Sequence, residues 1–224
     1  MNRALALAHE IGQAGTLLYA ESWAATTQIV SADYTAAQAQ LDRLLATAEE
    51  KGSSFWEEAA MGWQAVLLVL TGKAATGVPV IAARSGPTMF RPLRLSCLAT
   101  GWTDLGQFGD AWRCIGEAMT AIETTKERWF EAEVYRIAGE IALKSPEPRR
   151  TDAQRYFERA LAVARQQQAK SWELRATTSL ARLWRSRGKP QQARELLAPV
   201  YGWFTEGFDT LDLKEAKALL DELG

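Results

Sequence analysis

Six charged residues carry the densest chemistry of this 224-residue chain: Glu133, Arg136 and Glu140, then Arg175, Arg182 and Arg185. The first three are i,i+3 and i,i+4 neighbours on one helix face, and Arg175 on an adjacent helix can reach either glutamate. A guanidinium is a planar fork of donors that matches a carboxylate. The cluster therefore suits an acidic peptide or a chain-terminal carboxylate. It equally suits an ion-pair ladder that fixes the register of neighbouring helices, and the mutually compensated charges of Glu133, Arg136 and Glu140 favour the ladder for those three. Arg182 and Arg185 have no evident acidic partner in their own helix, which makes them the better binding candidates. The residues expected to line a binding face are Arg136, Glu140, Arg175, Arg182 and Arg185.

Other chemistry is scarce. Thr71-Gly72-Lys73-Ala74 lacks the first glycine and the hydroxyl of a phosphate-binding loop, and reads as an inter-helix turn. His9 is the only histidine. Metal centres built on several imidazoles are thereby excluded, as is a Ser-His-Asp or Cys-His arrangement away from the N-terminus. Glu49-Glu50 and the Asp209/Asp212 pair read as solvated helix ends. No catalytic, cofactor-binding or metal-binding residue is expected, and a non-catalytic protein follows.

Composition agrees with a soluble folded chain: 47% of residues are hydrophobic and 24% charged. A net charge of −1 offers no bulk attraction to nucleic acid or to an anionic membrane. Cys97 and Cys114, without a CxxC motif, fit a reducing cytoplasm, and two buried thiols are favoured over a bond between them. The N-terminal MNRALALAHEIGQ breaks its apolar run at His9 and Glu10, unlike a signal peptide. The longest apolar run, Ala65 to Leu70, is far too short to span a bilayer. Most of the nine tryptophans are expected to wedge between helices.

The elements that must position these residues are visible as an internal repeat. Leu98, Ala99, Trp102, Gly106, Ala111, Ile115 and Ala118 are echoed 82 positions later by Leu180, Ala181, Trp184, Gly188, Ala193, Leu197 and Val200. A helix, a glycine turn and a second helix packed back on the first is the unit so encoded, and such units must stack to bury their apolar faces. Weaker copies start around Ala24, Ala65 and Tyr135. The second-helix anchors Ala37, Gly77, Ala111, Ala153 and Ala193 are separated by 40, 34, 42 and 40 residues. Gly77, Pro79, Gly86 and Pro87 crowd the short interval, which predicts a helix over only 74–84, then a loop, and favours tolerated erosion over a notch for a partner. Pro146 and Pro148 should stop one helix before Thr151 caps the next, and Pro199 should kink its helix. Residues 2–12 read as the second helix of an incomplete unit, and 210–223 as a helix covering the open end. The expected fold is an all-α, right-handed α-solenoid of about five stacked antiparallel helix pairs plus a C-terminal capping helix. It is read as one domain over 1–224 with an irregular repeat near 74–90.

These repeats resemble tetratricopeptide repeats of the longer-period variety found in bacterial signalling ATPases and maltose-regulator-type activators. GQFGDAWRCIGEAM (Gly106–Met119), ERWFEAEVYRIAGEIAL (Glu127–Leu143), YFERALAVARQQQAKSWELRATTSLARLW (Tyr156–Trp184) and LLAPVYGWFTEGFDTLDLKEAKALL (Leu196–Leu220) are similar to the C-terminal region of bacterial proteins that join a class III adenylate/guanylate cyclase to an ATPase. The resemblance implies a regulatory or protein–protein interaction module with a protein or peptide partner. It carries over no catalytic residue, because neither the cyclase nor the ATPase portion has a counterpart here. A small-molecule sensor and an eroded cyclase-type tail are the alternatives.

In a stacked array the first helix of each pair lines the concave face. In the earlier half, Tyr19, Ser22, Thr26, Ile29, Val66, Val69 and Leu93 make that face apolar and uncharged, and association of copies through the N-terminal end is expected.

Overall fold

The computed structural model describes residues 2–84 and 89–224. Its elements among those residues are all helices: α1 (Asn2–Ile11), α2 (Ala14–Val30), α3 (Tyr34–Glu50), α4 (Ser54–Leu70), α5 (Ala74–Ala82), α6 (Arg91–Asp104), α7 (Phe108–Thr125), α8 (Glu131–Lys144), α9 (Arg150–Gln166), α10 (Lys170–Ser186), α11 (Pro190–Tyr201) and α12 (Leu211–Glu222). From α2 to α11 they form five consecutive pairs, with α1 before and α12 after them, and the all-α architecture expected from the repeat is the one observed, successive pairs packing together within each compact unit.

The repeated turn shows why the motif folds as it does. Gly106 and Gly188 both take the left-handed backbone, with φ of 73° and 72°, a region in which a side chain is strained. Each turn is closed by the same bond, from Gln107 N–H to Trp102 O at 2.8 Å and from Lys189 N–H to Trp184 O at 3.0 Å. The sequence echo is thus a geometric one.

The chain divides into two compact units, Met1–Gly86 and Pro87–Gly224. In the first, α1 packs on α2, α4 lies against both α2 and α3, and α5 folds back on α4. In the second, α8 lies against α6 and α7, α10 against α8 and α9, and α12 against α10 and α11. The first helices α6, α8, α10 and α12 therefore form one row. Leu213, Ala216, Leu219, Leu220 and Leu223 of the terminal segment share a core with Leu174, Ala181, Ala193, Leu197 and Val200, which gives the last pair the covering helix it needs.

Small residues set the closeness of each pair. Ala37, Ala111, Ala153 and Ala193 are fully buried at the anchor position. At Gly77 even a methyl group is too large: a Cβ there would lie 2.5 Å from the Ala65 carbonyl oxygen and 2.8 Å from Val69 Cγ2. Gly77 is therefore a packing residue that lets α5 lie directly on α4, which corrects its reading as erosion. The helix itself is short, as expected, with Pro79 inside it and its end at Ala82. Gly86 and Pro87 lie outside the described residues.

Several local expectations need revision. Helix α9 starts at Arg150 with Arg149 as its cap, so Thr151 sits inside the first turn, because Arg149 N–H already bonds back to Ala142 O at 2.9 Å and fixes the entry. Pro199 lies in the last turn of α11, two residues before the helix ends, so little of the helix lies beyond the bond it removes. Thr26, Ile29, Val66, Val69 and Leu93 are buried, so the apolar residues read as an open face are mostly core, and Tyr19 alone of that set is exposed. The tryptophans are buried or half-buried except Trp23 and Trp203. Cys97 and Cys114 are free, buried thiols, and burial pushes them up to about 12 and about 11.

Helices α2 and α3 close over a carboxylate. Glu21 is 3% exposed; Thr47 Oγ1 donates to its Oε1 at 3.4 Å, and its Oε2 has no partner among the described residues. Burial raises its pKa above 4.5, against the opposing pull of Thr47, His9 and Arg43. The unfolded chain releases this proton near 4.5 and the folded chain only at higher pH, so the group's contribution is full below that value and is lost as pH rises through the folded pKa. Glu21→Gln should therefore stabilise the protein at neutral pH by about 1 kcal/mol, and have little effect in acid. Urea melts at the two pH values check this, and an equal effect at both would exclude ionisation as the cause.

Candidate functional site

The row of first helices in the second unit collects the charged residues singled out above. On α8 the spacing of Glu133, Arg136 and Glu140 places them on one face. Arg136 grips Glu133 with a fork, Nε to Oε1 at 2.8 Å and Nη2 to Oε2 at 3.0 Å, and its Nη1 reaches Glu140 Oε1 at 3.5 Å. From α10, Arg175 Nη1 lies 3.6 Å from Glu133 Oε2, while its Nε donates to Asp212 Oδ2 on α12 at 2.7 Å. Ser179 Oγ donates to Glu140 Oε1 at 2.8 Å and ties α10 to α8 a second time. Arg136, Glu140 and Arg175 are thus brought into one network.

Arg182 and Arg185 lie farther along α10 and find their acids on the next helix. Arg182 Nη2 meets Glu215 Oε2 at 2.7 Å, and Arg185 pairs with Glu222. The two groups of arginines differ in solvation. The Glu133 side chain is 3% exposed, and those of Arg175 and Asp212 are 17% and 21%, whereas Arg182 and Glu215 are each 45% exposed.

Burial would raise the pKa of Glu133, but the Arg136 and Arg175 guanidiniums outweigh it and hold the carboxyl below 4.5. Asp212 goes the other way: burial dominates, Arg175 offsets only part of it, and the Glu133 charge adds to the rise. One guanidinium is shared between two carboxylates: Asp212 takes the shorter bond, 2.7 Å against 3.6 Å, and Glu133 is held down chiefly by its second arginine, Arg136.

Asp212 was expected at a solvated helix end. It is instead in the first turn of α12, turned into the ladder. Asp212, Glu215 and Glu222 are the residues that reading one helix at a time overlooks. A signal for them exists: the first helices start at 91, 131, 170 and 211, so α12 falls where the first helix of a further unit is due.

An aromatic rail runs beside the ladder. Phe90 and Phe130 stand at the N-caps of α6 and α8, and Trp172 in the first turn of α10. Trp129 lies 6.0 Å from Phe90 and 5.1 Å from Phe130, and Phe130 lies 5.4 Å from Trp172, all edge to face. Trp172 Nε1 donates to Trp129 O at 3.1 Å, and the Arg175 guanidinium sits 4.9 Å above the Trp172 ring. The rail thus orients the arginine at the centre of the ladder. Among the described residues the first unit carries aromatics but no such ladder: Tyr19 stands 6.1 Å from Trp23 and 6.4 Å from Trp56, with Phe55 beside Trp56 at 5.1 Å.

Among the described residues no three His, Cys, Asp or Glu side chains are grouped to hold a metal ion, and no helix is long and apolar enough to cross a membrane. The chemistry the ladder offers is carboxylate recognition and helix registration.

Known structures share this architecture. Crystal structures of nearly identical TPR-like repeats from Podosopora anserina, described as belonging to a kinesin light chain, superpose with a TM-score of 0.50 at 15% identity, covering 92% of this chain and 95% of the other. A single-substitution variant of that protein gives 0.52 at 16% identity, over 83% and 93% of the two chains. The fold is that of TPR-like helical repeats. No family model and no curated protein sequence matches the chain.

Proposed function

We propose that the chain is a non-catalytic protein–protein interaction module whose binding face is the α6–α8–α10–α12 row, with Arg182 and Arg185 as its ligand-exchanging residues. The observation that carries this reading is the difference in solvation along α10. The Arg182 and Arg185 pairs stand in solvent, and pairs of that kind are worth about 0–1 kcal/mol. An incoming carboxylate can replace Glu215 or Glu222 at little cost, while Arg136, Glu140 and Arg175 hold the helices that present the site. The partner is a protein segment with acidic side chains or a free C-terminus.

The resemblance of the four stretches quoted above supports a finer assignment, to a cytoplasmic bacterial signalling system built around a cyclase or ATPase. Both compact units are read as parts of one repeat domain over 1–224, and copies of the chain are read as associating through the N-terminal end.

Affinity capture from the native cell, comparing wild type with Arg182→Glu/Arg185→Glu, tests the groove. The variant is expected to lose the partners wild type recovers while keeping its helical circular dichroism. Recovery of the same partners by both proteins removes the groove from consideration.

A further inference from the structure

Among the described residues, helix α1 is covered on one side only, by α2. Ala8 is buried against α2, whereas Leu7 and Ile11 are 47% and 64% exposed, and Ala4 one turn earlier completes a bare apolar stripe. With about 3.6 residues per turn, Leu7, Ile11 and Ala4 fall within one narrow sector of the helix. Arg3 and Glu10 lie together on the flank of that stripe facing away from Ala8, about two turns apart, and both are exposed.

We propose that α1 pairs antiparallel with α1 of a second copy, about a two-fold axis beside Leu7. This rests on the reading that copies associate through the N-terminal end, and it adds the geometry and the residues. The axis sets the small Ala4 end of each stripe against the large Ile11 end of the other. In an antiparallel pair the same flank of each helix faces its counterpart, so Arg3 of each copy comes opposite Glu10 of the other, twice over. A parallel pair would set Arg3 level with Arg3 and offer neither charge a mate. The contact uses the same patch on both copies and closes at two. On α12 the charged Lys214, Lys217 and Asp221 are exposed beside Leu211, which is 43% exposed, so a head-to-tail contact would set the apolar stripe of α1 against a largely charged face.

Size-exclusion chromatography with light scattering at tens of micromolar tests the pairing on the full chain. Wild type is expected as a dimer, and Leu7→Asp/Ile11→Asp as a monomer with unchanged helical circular dichroism, since neither side chain belongs to the core. Arg3→Glu should weaken the dimer about tenfold by losing two exposed pairs and setting like charges together. The exchange variant Arg3→Glu/Glu10→Arg should restore it. A monomeric wild type overturns both the association and its geometry. A dimer indifferent to Arg3→Glu, or not restored by the exchange, keeps the association and overturns the antiparallel two-fold.

Discussion

Arg136→Met is expected to destabilise the second unit by about 3–5 kcal/mol. The substitution removes the two-bond fork from the Glu133 carboxylate, 3% exposed, and leaves it the Arg175 guanidinium that it shares with Asp212. A buried charge so abandoned costs far more than the pair it came from contributes. Glu133→Leu/Arg136→Met should therefore be more stable than Arg136→Met alone, because it removes the stranded charge. Chemical denaturation of the wild type, Glu133→Leu, Arg136→Met and the double variant gives the coupling energy directly. A double variant no better than Arg136→Met would show that lost packing, not stranded charge, is the cause. The pH dependence follows from the same carboxyl. Its folded pKa is lowered below 4.5, so its stabilisation is full above that value and is lost as pH falls through the folded pKa. In Glu133→Leu/Arg136→Met that acid-side loss should shrink.

Gly139→Ala should cost about 2 kcal/mol net, although alanine is the better helix former by about 1 kcal/mol. An added Cβ would lie 2.4 Å from Phe157 Cε1 and 2.6 Å from Cδ1, well inside van der Waals contact. The Phe157 ring is fully buried in a core with Ala142, Ala153, Ala160 and Leu180, so it has nowhere to turn. Helices α8 and α9 must separate, and the ladder on α8 shifts with them. The thermal midpoint should fall by about 4–8 °C. Phe157→Leu in the same chain should recover part of the loss by vacating the space. If Gly139→Ala melts at or above the wild-type temperature, helix propensity governs this position and not the ring.

How much of this was legible beforehand differs by element. Gly106 and Gly188 announced the turns because left-handed backbone admits few residues, and a period near 40 residues placed the helices. Arg136, Glu133 and Arg175 were also legible, since i,i+3 spacing within a helix and one repeat step between helices bring their charges together. Gly77 was misread, because a sequence does not distinguish a glycine that breaks a helix from one that lets two helices touch. Asp212 was misread for a related reason: its solvation is decided by α10, far away along the chain. Glu21 gave no sign that its Oε2 would be left without a partner.

The sequence by itself determined the architecture of this protein, because hydrophobic periodicity, small anchor residues and left-handed turns are local constraints that each segment satisfies alone. Only the tertiary structure decided which arginines are locked and which stand in solvent. Solvation depends on what a neighbouring helix covers, and for α10 that neighbour is α12, whose acids complete the ladder from roughly one repeat away.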